Sequence, residues 1–140
     1  MKLAVVALAL SAAALSGSAF AAKPPPLATP APAPGTGLPA GQCIRSSEIR
    51  NHTIADRNTL LIDVRGKDTY RVTMNGGCLA GAISSDPIIT RSPPGASIIC
   101  KPIDMDIAIS RGGFPSQCIV DSIVKLSPEE VAALPRKLKP

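Results

Sequence analysis

Cys43, Cys78, Cys100 and Cys118 are the residues of this chain whose chemistry is most constrained by spacing, since no two stand closer than 18 residues. A thioredoxin-type redox pair needs Cys-x-x-Cys, and a structural zinc site needs ligands in close pairs or histidines beside them. His52 is the single histidine. Widely spaced cysteines of even number are instead suited to disulfides, and two are expected. Four cysteines allow three pairings, and sequence alone does not choose between them. The nested scheme is favoured here, with Cys43 joined to Cys118 to fasten the start of the domain to its last strand. Cys78 joined to Cys100 would then close the least regular segment.

Carboxylates offer a second chemistry. Asp104 and Asp106 flank Met105, so both lie on one face of a strand, and Asp121 could join them from a neighbouring strand. Hard cations such as calcium take oxygen ligands of this kind. The commoner use of such a pair is a solvated strand face, and the spacing of an EF-hand loop is absent. His52 has no Ser or Cys nucleophile at a motif distance, and neither Gly-x-Ser-x-Gly nor His-Glu-x-x-His occurs. Asn51-His52-Thr53 has the form of an N-glycosylation acceptor. Gly76-Gly77 and Gly112-Gly113 open no helix, so they are turn glycines rather than a phosphate cradle. No catalytic residue, metal ligand or cofactor site is assigned.

The elements around these residues begin with an export signal over 1–22. Lys2 supplies its charge, 3–15 its apolar run, and Ala19-Phe20-Ala21-Ala22 its small-residue end. That run falls short of the roughly 20 residues of a membrane span. Cleavage is expected after Ala21 or Ala22, giving a mature chain with no transmembrane segment and a periplasmic or secreted location. Residues 23–41 form a Pro/Ala-rich linker, in which dense proline favours extended polyproline II over helix or sheet. The domain proper is 42–140, a length that supports one modest core. Net charge is +5, about +4 once Lys2 leaves, and it is spread along the chain. With two phenylalanines, one tyrosine and no tryptophan there is no platform for stacking bases, so nucleic acid is not an expected partner. Mild positive charge suits an envelope protein or an anionic polymer better.

Within the domain the apolar period is mostly two residues. Leu60, Ile62 and Val64, then Tyr70, Val72 and Met74, predict a hairpin turning at Gly66. A weaker strand is expected over 49–55, and short ones around Ile88-Ile89-Thr90 and Ser97 to Cys100. Ile103, Met105, Ile107 and Ile109 predict a half-buried strand. Residues 118–126 are apolar on both faces, which suggests a central position. Ser127-Pro128-Glu129-Glu130 carries the signals of a helix start: a cap, a proline at the first position and early carboxylates. The expected fold is mainly β: a small antiparallel sandwich or partly open barrel of five or six strands, with a short C-terminal helix and two disulfides.

The opening Cys43-Ile44-Arg45-Ser46-Ser47-Glu48-Ile49-Arg50, with Asp56-Arg57-Asn58-Thr59-Leu60-Leu61, resembles an uncharacterised family of small exported, four-cysteine proteins of Gram-negative bacteria. Ile99-Cys100 with Asp104, and Cys118 to Ile123 before Leu126-Ser127-Pro128-Glu129-Glu130, fit the same pattern. Residues 79–99 are less aromatic than is usual there. The resemblance implies a shared scaffold and a periplasmic or surface location, and it carries no activity. The function expected is that of a non-enzymatic exported module contacting an envelope protein or polymer. The alternative is a small-ligand or divalent-cation binding protein.

Overall fold

In the computed structural model, residues 33, 35–91 and 97–140 are described, so the export signal, most of the linker and the loop over 92–96 lie outside the described residues. The strands are β1 (Ile44–Arg45), β2 (Ile49–Ile54), β3 (Thr59–Val64), β4 (Asp68–Asn75), β5 (Ile88–Arg91), β6 (Ile98–Ile99), β7 (Asp106–Arg111) and β8 (Phe114–Lys125). Helix α1 (Pro128–Ala133) follows them. Six strands form one antiparallel sheet in the order β2-β3-β4-β8-β7-β5, while β1 and β6 pair separately. The large sheet curls into a half-barrel, so the partly open barrel is the observed form. Its concave side holds the core, built on Leu60, Ile62, Val72, Met74, Ile107, Ile109 and Ile123.

Turn chemistry sets both long hairpins. Between β3 and β4, Arg65 (φ 60°) and Gly66 (φ 71°) are consecutive left-handed residues, the combination that matches strand twist in primed turns. Arg65 lacks the freedom of glycine and is held by Glu48, whose carbonyl accepts its N–H at 2.9 Å and whose Oε1 accepts from its guanidinium at 2.6 Å. Gly112 and Gly113, both at positive φ, join β7 to β8 with Arg111 opposite Phe114. That register puts Pro115 opposite Ser110 at a non-hydrogen-bonded position, so its missing N–H leaves no gap in the ladder.

The last strand is central, as its apolar faces suggest, but its alternation is interrupted. Thr73 pairs with Ser122 while Met74 pairs with Val120, leaving Asp121 as a bulged extra residue. Cys118 and Val120 therefore share the concave face with Ile123 rather than alternating with it. Leu61 and its cross-strand partner Arg71 lie on the convex face. Arg71 is 3.8 Å from Glu130 of α1, which places the helix on that side, where Leu61 is buried. Ser127 caps α1 by accepting the Glu130 N–H, and the Glu130 carboxylate accepts the Ser127 N–H in return.

Two sequence expectations are corrected. The disulfides are Cys43–Cys100 and Cys78–Cys118, an interleaved pairing rather than the nested one. The reason is strand register. Ile44 pairs with Ile99, so the antiparallel ladder brings Cys43 opposite Cys100, with Cα atoms 4.5 Å apart. Asn75 pairs with Ile119, and the turn through Gly76 and Gly77 then delivers Cys78 to Cys118 at 5.5 Å. Ile103 is also not a strand residue of the core. Residues Pro102–Asp104 form a 3-10 turn that leaves its side chain 87 % exposed, and the alternation starts only at Met105.

Residues 35–38, at the linker's end, are fastened to the domain. The Gly35 N–H donates to the Asp121 carbonyl, the Ile123 N–H to the Thr36 carbonyl and the Leu38 N–H to the Cys100 carbonyl. They line the flank of β8 beyond Cys118, the last β8 residue paired with β7. The approach is close: a Cβ on Gly37 would sit 2.8 Å from the Cys100 oxygen.

Candidate functional site

The carboxylates singled out in the sequence are not brought together. Asp104 closes the 3-10 turn, and its Oδ2 accepts N–H groups from Lys101 at 2.8 Å and Cys100 at 3.0 Å. These two backbone donors, Lys101 first, hold its pKa below the usual carboxylate value of 3.8. Asp106 begins β7 and accepts a hydrogen bond from Gln117 across the ladder. Asp121 is the bulge residue of β8. No three His, Cys, Asp or Glu side chains among the described residues are grouped to hold a metal ion. All four cysteines are consumed by the disulfides.

The feature best placed to bind something is the seam where the half-barrel fails to close. β2 and β5 are the two ends of the six-stranded order. Between them lies a cleft of about 260 Å³. Core residues Ile62, Met105 and Ile107 line it and supply an apolar floor. Arg50 and His52 come from the β2 rim, and Ile88 and Thr90 from the β5 rim. Among the described residues neither Asp nor Glu lines the cleft. The four ion pairs among the described residues use Arg45, Arg65, Arg71 and Lys125, leaving Arg50 outside them. Arg50 owes its place to a register shift: Ile49 pairs with Val64 and Asn51 with Asp63, so Arg50 is the extra residue. A bulge of this kind re-aims a side chain at the rim of a sheet.

The two rims differ in their backbone. On β2, the outward N–H of Ile54 donates to the Ser84 hydroxyl at 2.9 Å, and that of His52 to the Asn51 side-chain oxygen at 2.9 Å. The His52 ring also meets the Asp86 carbonyl at 3.2 Å, and because a carbonyl only accepts, Nε2 carries the hydrogen. Loop 79–87, which is fastened at its start by Cys78–Cys118, thus blunts this edge. On β5, the Ser110 N–H donates to the Pro87 carbonyl at 2.9 Å, which fixes the parity of the β5–β7 ladder. Ile89 and Arg91 then face β7, while the N–H and C=O groups of Ile88 and Thr90 point away from it, toward the seam. They make no backbone hydrogen bond among the described residues.

A second recess beside Cys43 is polar, with Glu48 against Arg65 and Asp68 against Lys125 at 2.9 Å on either side of Tyr70. Burial raises the Tyr70 phenol, and the pairing with Asp68 raises the Lys125 ammonium. These charges are paired with one another, and the recess is mainly polar, with Ile44 and Val64 reaching it from the core. Sequence reasoning missed the seam altogether. No local signal marked it, because closure is set by pairings between strands far apart in the chain.

Among the described residues no helix is long and apolar enough to cross a membrane. No curated protein and no solved structure matches the chain. The cysteines and strand pattern that suggested an uncharacterised family do find one: the chain belongs to the Family of unknown function (DUF6491), which matches residues 1–139.

Proposed function

We propose that this protein is an exported, non-enzymatic binding module of a Gram-negative envelope, and that it contacts its partner through the seam between β2 and β5. The single observation that carries the reading is the contrast within that cleft: among the described residues it has an apolar floor and Arg50 on a rim with no carboxylate, beside a strand edge whose outward backbone groups have no backbone partner. Export is supported by the three-part leader over 1–22 and by two disulfides, which persist in oxidising compartments. The Pro/Ala linker would give the module reach from whatever holds its N-terminus.

The test is site-specific crosslinking in the native envelope. A photoreactive residue at Thr90 is expected to yield a defined adduct, and one at Ala133 on the helix is expected to yield none. Equal labelling from both positions, or none from either, would remove the seam as the contact surface.

A further inference from the structure

Resting on that reading and deepening it, we infer that the seam binds a partner as an added β-strand: an extended peptide pairing with β5, with apolar side chains at alternate positions and a carboxylate beside Arg50. Three observations converge. The N–H and C=O groups of Ile88 and Thr90 repeat every second residue along an edge, which is the pattern a second extended backbone completes. The side chains of the same two residues face the concave side, because Ile88 pairs with Ile109 and Thr90 with Ile107, both core residues. A strand laid beside β5 would continue that surface and direct every other side chain onto Ile62, Met105 and Ile107. The charge of the rim selects the sign, since Arg50 lines the cleft and no carboxylate among the described residues does.

The opposite rim explains why the occupant pairs with β5 and not with β2. The outward N–H groups at His52 and Ile54 already have acceptors, in Asn51 and Ser84. A strand entering the seam therefore finds, among the described residues, open backbone N–H donors on the β5 side, while those of His52 and Ile54 on the β2 side are already taken.

The experiment uses the full mature chain with both disulfides intact. A phage-displayed library of random twelve-residue peptides is panned against wild type and against Thr90→Pro. Proline is tolerated here because the Thr90 N–H points away from β7, so the variant removes one edge donor without breaking the sheet. Selected peptides are expected to alternate apolar and other residues, to carry a carboxylate and to bind Thr90→Pro at least tenfold more weakly. A second readout needs no variant: a selected peptide should slow amide exchange at Ile88 and Thr90 by at least tenfold, while Ile54 is unchanged. Arg50→Glu should weaken the acidic peptides severalfold. The strand mode is overturned if panning enriches no peptide, if enriched peptides leave Ile88 and Thr90 exchange unaltered, or if decanoate alone occupies the cleft and displaces them. In any of those cases the Thr90 crosslink still decides the seam reading separately, so the two failures are told apart.

Discussion

β2 and β5 end the same curled sheet, yet the N–H groups facing outward from β2 have acceptors from a crossing loop and a neighbouring side chain, while those of β5 have none among the described residues. Neither strand's own apolar pattern explains the difference. β2 is blunted because loop 79–87 passes beside it and offers the Ser84 hydroxyl and the Asp86 carbonyl. β5 is the shorter strand, and its far side is turned to the cleft. The availability of a sheet edge thus depends on what the rest of the chain lays across it, and natural proteins blunt edges they do not use.

The difference can be broken most forcibly at the disulfide that fastens the loop. Replacing Cys78 and Cys118 together by alanine opens a link spanning 40 residues, which the chain-entropy relation values at about 4 kcal/mol. Urea denaturation should show that loss, and amide exchange at Ile54 should approach that at Ile88 as the loop loosens. An unchanged Ile54 rate would mean that the loop is held by its other contacts. Ile123→Ala tests the shared wall opposite the seam. Ile123 is fully buried against β4, so truncation should cost about 2 to 5 kcal/mol, measured the same way, with the exchange contrast between the rims preserved.

Ser84→Ala sharpens the comparison locally. It removes the acceptor of the Ile54 N–H, for an expected cost of about 1 kcal/mol, and should speed Ile54 exchange without altering Ile88. The smallest effect concerns acid. The folded pKa of Asp104 is depressed by the Lys101 and Cys100 N–H groups, so its contribution is fully present above its ordinary value near 3.8 and fades as pH falls through the lower folded value. Melting curves of wild type and Asp104→Asn should therefore differ most above pH 5 and converge as pH drops below about 3.8. A constant gap across that window would show that the carboxylate's charge is not what matters.

Much of this was legible locally. The β3–β4 hairpin, the turn glycines before Phe114 and the reciprocal Ser127–Glu130 cap each follow from residues within one or two turns of chain, where steric and hydrogen-bonding preferences act directly. Ile103 was misplaced because two-residue alternation reads the same whether a strand or a 3-10 turn precedes it, and the Asp104 carboxylate decided for the turn by capping the Cys100 and Lys101 N–H groups. The Asp104 and Asp106 pair failed as a site for the same reason, since the two residues belong to different elements.

The sequence by itself determined most of the segments that extend, the glycine turns between them, and that four cysteines too far apart for redox or zinc chemistry would form two bridges. Only the tertiary structure decided which cysteines meet, because antiparallel register places Cys43 opposite Cys100 and carries Cys78 to Cys118. It also decided that the sheet stops at six strands with an open seam. Strand order and closure are set by pairings between residues far apart in the chain, and no local period records them.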